Sequence, residues 1–285
     1  MAARSDRPPP PRSQAPAALT DAWPSPSPRP PKRVAPPSRS PGGGGLERWQ
    51  HPFQTLMPYR VGEVLLISSD YDAFVLEEDG SLADRLYSRY SELNLSRIPR
   101  ITHAGTAKAA RALLEERNFD LVMTVARIAD DDALTLCRFV AKVYPRIPIV
   151  LLLLDESDLA RIDRFAARQT VSRIFQWTGR ARSLIAAIKS VEDLKNAEHD
   201  THVGGVKLLL VVEDGIREYS SFLSTLYPIL FRQAGSLIDE GLNDFQRVIR
   251  LRARPKILLA QSTEEARHMY RRFGDNIIAV LTDVR

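Results

Sequence analysis

With 285 residues and 44% apolar content, the chain has material for two globular domains of ordinary size and is not that of a disordered protein. Its formal charge of +5 resides in the first 50 residues, which carry 8 Lys and Arg against 3 Asp and Glu; residues 51–285 carry 32 of each, so nothing in the charge of the folded part points to nucleic acid. A single cysteine, Cys137, excludes an internal disulfide, and the longest strongly apolar run, Ile147 to Leu154 broken by Pro148, is too short for a membrane span; a soluble, cytoplasmic protein is expected.

Residues 1–58 read as a disordered tail, because the first 50 hold 13 of the 20 prolines and the Gly42 to Gly45 run. That run lacks the Lys-Ser/Thr of a phosphate-binding loop and reads as a linker. From residue 61, short apolar runs alternate with amphipathic stretches, the pattern of a parallel sheet covered by helices on both faces. Strands are expected at Glu63 to Ile67, Arg100 to Thr102, Leu121 to Val125, Ile149 to Leu154 and Ser172 to Gln176. Helices are expected at Ala73 to Leu93, Ala107 to Arg117, Ala133 to Val143, Leu159 to Arg168 and Ala181 to Asn196. Five βα units over 61–196 make an α/β, flavodoxin-like, doubly wound fold.

The polar stretch Ala197 to Gly205 ends in two glycines and reads as a linker between domains. The alternation restarts at Val206 to Val212, Lys256 to Ala260 and Ile277 to Thr282. About 40 residues separate the first two of these strands, more than one crossover needs, so two helices are expected there, Ile216 to Gln233 and Ser236 to Arg252. Residues 206–285 thus read as an incomplete second unit, with two strands and three helices of a five-stranded fold still wanting at Arg285.

Function in such sheets collects at the carboxyl ends of the strands. In the second unit these positions hold Glu213 and Asp214 after one strand and Asp283 after another. Three carboxylates on one small crevice suit Mg²⁺, which takes oxygen ligands, and a metal so held lets one carboxylate attack a phosphoryl group. The strand ending LLLVVED and the later AVLTDVR resemble the response-regulator receiver family. The resemblance implies that Glu213 and Asp214 are the acid pair holding Mg²⁺ and that Asp283 is the phospho-acceptor and a further metal ligand. It also implies a Ser or Thr after a fourth strand and a Lys after a fifth, neither of which lies in 206–285. The enlarged first crossover, the RARPKILLAQSTEEA segment and the AVLTDVR ending resemble the receiver that precedes a phosphoenolpyruvate-synthase-like region in some bacterial signalling proteins.

Laid on the same pattern, the first unit fails at each catalytic place. Ser68 and Ser69 stand where the acid pair belongs, with Asp70 one place late. Val125 replaces the acceptor, Leu153 the Ser or Thr, and Trp177 the Lys. It reads as a degenerate receiver. Asp130 to Asp132 read as a loop entering a helix rather than a metal cluster, and the five histidines show no ligand spacing. The expected function is phosphorelay signal transduction without enzymatic activity. The partner would be a sensor histidine kinase or another phosphodonor protein, with a homodimer through receiver faces and neither nucleic acid nor membrane. The alternatives are a non-catalytic scaffold and the amino-terminal part of a phosphoenolpyruvate-utilising enzyme.

Overall fold

Apolar runs become buried strands where both faces can be covered, and the computed structural model shows, among the described residues, eight strands in two parallel sheets. It describes residues 55–76, 82–93, 95, 97–177, 180–236 and 251–283, all within one unit, Gly42–Arg285. The first sheet contains β1 (Glu63–Ile67), β2 (Arg100–Ala104), β3 (Leu121–Val125), β4 (Ile149–Leu153) and β5 (Arg173–Gln176), in the order β2-β1-β3-β4-β5. That order is the flavodoxin-like one. The second contains β6 (Leu208–Val212), β7 (Lys256–Ala260) and β8 (Ile277–Thr282), ordered β7-β6-β8, which repeats the first three positions of the same order. Strands β3 and β4 inside the first sheet and β7 at one edge of the second are buried throughout, whereas β8 at the other edge leaves Ile278 57% and Val280 48% exposed.

The helices are α1 (Asp70–Leu76), α2 (Leu82–Glu92), α3 (Ala107–Glu116), α4 (Ala133–Val143), α5 (Glu156–Arg161), α6 (Arg164–Thr170), α7 (Ala181–Gly204), α8 (Ile216–Ser236) and α9 (Thr263–Phe273). The expected helix Leu159 to Arg168 is two helices. An Asp155–Asp158 capping box opens α5, Ile162 leaves helical geometry, and Asp163 accepts from the Ala166 N–H to start α6. Helix α9 has a sequence signal that the strand pattern alone passes over: Ser262 caps it by accepting from the Glu265 N–H at 3.1 Å. The expected disorder of residues 1–54, the Gly42 to Gly45 linker and most of the expected helix Ser236 to Arg252 lie outside the described residues.

Two expectations are corrected. Residues 197–205 are not a linker, because α7 runs unbroken to Gly204 and closes on Gly205. Gly205 adopts φ 59, the left-handed conformation that ends helices, and its N–H together with that of Val206 caps the carbonyls of Thr201 and Asp200. Nor do residues 55–58 belong to a tail, since Leu56 and Met57 are buried.

Both corrections have one cause, a polar row along α7. The Val61, Tyr59 and Met57 N–H groups donate to Glu192, Asn196 and Asp200 in turn, each at 2.9 Å. Two extended residues advance about 6.6 Å and four helical residues about 6 Å. An extended segment therefore keeps register with every fourth residue of the helix. On a neighbouring row, Asp193 accepts from both terminal nitrogens of Arg254, from the Tyr227 hydroxyl and from the Ile257 N–H. One helix thus satisfies the approach to β1 and the start of β7.

The buried Lys256 joins this network, donating to the Arg252 carbonyl at 2.7 Å and pairing with Asp200 at 3.2 Å. Burial, reinforced by the charge of Arg254, pushes its ammonium down to about 8. An unfolded lysine titrates near about 10.4, so between these values the unfolded chain binds more protons and stability rises with pH. The Cys137 thiol, pushed up to about 12 by burial, acts in the opposite sense above its ordinary range. Comparison with Lys256→Met isolates the lysine. In urea unfolding at a series of pH values, wild type should gain stability relative to the variant from pH ~8 to ~10; parallel curves would refute the assignment.

Candidate functional site: the carboxyl edges of the two sheets

In the second sheet β6 pairs with both neighbours, Val212 lying opposite Ala260 on β7 and opposite Thr282 on β8. Glu213 and Asp283 are consequently the next residues on adjoining parallel strands, whose spacing is about 4.8 Å. The Glu213 N–H extends the ladder to the Ala260 carbonyl at 3.0 Å. Its side chain turns back, Oε1 accepting from the Gly215 N–H at 2.9 Å. Asp214 is exposed, and its carbonyl accepts from Arg168 of α6 at 3.2 Å. Asp283 is exposed, and its carbonyl accepts from the Thr282 hydroxyl.

Glu218, in the first turn of α8, belongs to the same corner. A Cβ on Gly215 would stand 2.2 Å from Glu218 Oε2 and 3.0 Å from Glu213 Oε1, so the two carboxylates lie over this glycine and at least the Glu218 side chain would have to move to admit a larger residue. Register brings Glu213, Asp214 and Asp283 to one edge, but their carboxylates do not converge. Among the described residues no three His, Cys, Asp or Glu side chains are grouped closely enough to hold a metal ion. The donors are the all-oxygen set that Mg²⁺ takes, while the Glu213 rotamer is committed to Gly215. Glu218 and Arg168 are the residues of this corner missed from sequence; the first lies in an ordinary first-turn acidic position, and the second is distant in the chain.

The same edge of the first sheet is closed by its own side chains. Ser68 is buried, with its hydroxyl 3.0 Å from His103 Nε2. Ser69 donates to Asp72 at 2.8 Å and accepts from the Asp72 N–H, starting α1. Asp70 is exposed beside Gly105. Val125, Leu153 and Trp177 are buried at the ends of β3, β4 and β5, the Trp177 N–H donating to the Leu153 carbonyl.

The three aspartates of the β3–α4 loop are each occupied. Asp130 accepts from the Ala107 and Lys108 N–H groups at the start of α3, and these donors hold its carboxyl below the usual range. Asp131 pairs with Arg111 at 2.7 Å, and Asp132 caps α4. Arg127 bridges Asp155 at 3.0 Å and Asp158 at 3.1 Å. No helix among the described residues is long and apolar enough to cross a membrane.

No family model matches the sequence, and no curated protein matches it either. Among solved structures, the chain is similar to the signal receiver domain of an HD domain-containing protein from Pseudomonas fluorescens Pf-5, at 21% identity over 50% of this chain and 93% of that one, with a TM-score of 0.35. It is also similar to the receiver domain of the Francisella response regulator 1452, at 16% identity over 47% and 98% of the two chains, with a TM-score of 0.35. A CheY-like receiver domain protein from Methanospirillum hungatei JF-1 gives 15% identity over 48% and 98%, with a TM-score of 0.37.

Proposed function

We propose that the chain is a receiver-type phosphorelay module whose second unit carries the chemistry and whose first unit is a degenerate receiver used for docking. In this reading Asp283 is the phospho-acceptor, and Glu213 and Asp214 hold Mg²⁺ together with it. The observation that carries the proposal is the pairing of Val212 with Thr282, which sets the acid pair and Asp283 at adjoining strand ends. Bound Mg²⁺ would supply neutralisation of charge on the phosphoryl oxygens. The chain's own part is to present an Asp283 oxygen to phosphorus as the bond to the donor's leaving group breaks, and to turn Glu213 away from the Gly215 N–H. The resulting acyl phosphate carries about −1.5 to −2 charge in place of the carboxylate's single negative charge, with three acceptor oxygens at the sheet edge that bias a neighbouring surface.

The phosphodonor is a sensor histidine kinase or another phosphorylated protein. The first unit supports a docking role because its carboxyl edge is filled by Val125, Leu153 and Trp177 and by internally bonded serines. Incubation with a small-molecule phosphodonor and Mg²⁺ tests the division of labour. No phosphoaspartate is expected within 61–196. In a form of the protein that supplies the receiver Ser or Thr and Lys, labelling should map to Asp283 and vanish in Asp283→Asn. Equal labelling with Asn at 283 would overturn the assignment.

A further inference from the structure

Between Asp214 and Ser220 the second unit is bonded repeatedly to the first. The Asp214 carbonyl accepts from Arg168 of α6 at 3.2 Å, Arg217 pairs with Glu156 of α5 at 2.7 Å, and the Ser220 hydroxyl accepts from the Gln176 N–H of β5 at 3.0 Å. The Tyr219 hydroxyl donates to the Ile174 carbonyl, so the first turns of α8 are seated on β5. Arg173 of β5 also donates to the Leu259 carbonyl of β7 at 3.2 Å. The loop that carries Glu213 and Asp214 thus leads into a helix fixed to the first sheet.

Of these contacts, the one from Arg168 falls on the loop itself. Arg217 and Glu156 are 68% and 75% exposed, and an ion pair so solvated contributes little; Tyr219 and Ser220 hold the helix. The Asp214 carbonyl that Arg168 engages and the Gly215 N–H that holds Glu213 Oε1 at 2.9 Å are the two ends of one planar peptide unit. A guanidinium on the oxygen fixes the plane of that unit and polarises it, which strengthens the N–H as a donor. Arg168 is itself carried by a packed helix, next to the buried Ala167. Through one peptide, therefore, α6 of the first unit helps to keep the Glu213 carboxylate turned onto Gly215.

We propose that Arg168 is an autoinhibitory latch by which the first unit holds the acidic edge closed to a divalent cation. Release of Arg168 frees the Gly215 peptide, and with it Glu213, to turn toward the metal. The inference rests on the reading of Glu213, Asp214 and Asp283 as the Mg²⁺ site and gives the first unit a regulatory part in it. Coupling of this kind is reciprocal, so metal binding in turn loosens Arg168.

The test is a Mg²⁺ titration of the full chain followed by amide resonances, comparing wild type with Arg168→Met and Arg168→Lys. Arg168 is exposed, so both variants should fold. Arg168→Met should bind Mg²⁺ about 2- to 5-fold more tightly, the contribution of one modest hydrogen bond, and its Gly215 N–H should exchange faster without metal. Arg168→Lys, which keeps a donor, should fall between. Removing a cation near an acidic edge also favours Mg²⁺ through space, so the titrations are repeated from about 0.1 M to about 1 M salt, where the screening length shortens from about 10 to about 3 Å. A latch keeps its effect there, and a charge alone loses it. A difference that vanishes at high salt, or equal affinity in wild type and Arg168→Met, overturns the latch alone. No saturable shift at Glu213, Asp214 and Asp283 in either protein overturns the metal-site reading and the latch with it.

Discussion

Replacing Arg254 by alanine is expected to lower unfolding stability by about 3–5 kcal/mol, the cost of leaving a buried charge without its partner. Arg254 and Asp193 side chains are both 0% exposed and joined by two hydrogen bonds, of 2.8 and 3.0 Å. Arginine also lies 4.6 Å from the Phe231 ring centroid and 5.5 Å from that of Tyr227, so its removal strips packing and cation–π contact from α8. Against a typical total of about 5–15 kcal/mol, such a loss should be plain in urea unfolding. Converting both Arg254 and Asp193 to leucine should restore only part of it, because the Ile257 N–H and Tyr227 hydroxyl would then lose their acceptor. A loss below about 1 kcal/mol in Arg254→Ala would show that the network is not what joins α7 to β7.

Much of the fold was legible in the sequence for a simple reason: a strand buried on both faces must be apolar at every position. IVLLL, buried throughout, and LVMTV, apolar but for Thr124, mark their strands without reference to anything distant. The row on α7 was illegible because Glu192, Asp193, Asn196 and Asp200 look like a solvated face. Their partners, Val61, Arg254, Tyr59 and Met57, are between 61 and 143 residues away. Gly205 was read as a linker signal where it is a helix end, since a glycine after a polar run serves either purpose. At the candidate site, strand-end placement of Glu213, Asp214 and Asp283 followed from the apolar runs, whereas the commitment of Glu213 to Gly215 depends on a rotamer that no pattern encodes.

Long-range closure also explains how the two sheets become one unit, and a second substitution should expose it. Strand β5 ends the first sheet, and its outer backbone groups are taken by α8: the Tyr219 hydroxyl donates to the Ile174 carbonyl and the Gln176 N–H donates to the Ser220 hydroxyl. An edge so covered cannot recruit another chain. Between these two bonds sits Phe175, fully buried and edge-on to Tyr219 at 5.8 Å. Phe175→Ala should cost about 3–5 kcal/mol through lost burial and the cavity left behind. The loss should fall on both sheets in one transition, read by amide exchange in β4 and β7 together. Independent protection of β7 after loss of β4 would show that the second sheet folds without the first.

Magnesium titration followed by amide resonances distinguishes a working carboxylate edge from a closed one within a single molecule. The resonances of Glu213, Asp214 and Asp283 should shift together and saturate, Asp214→Asn should weaken that response, and Ser68, Ser69 and Val125 should stay unmoved. Absence of a saturable shift at the first three residues, or an undiminished response in Asp214→Asn, would contradict the receiver reading of the second unit.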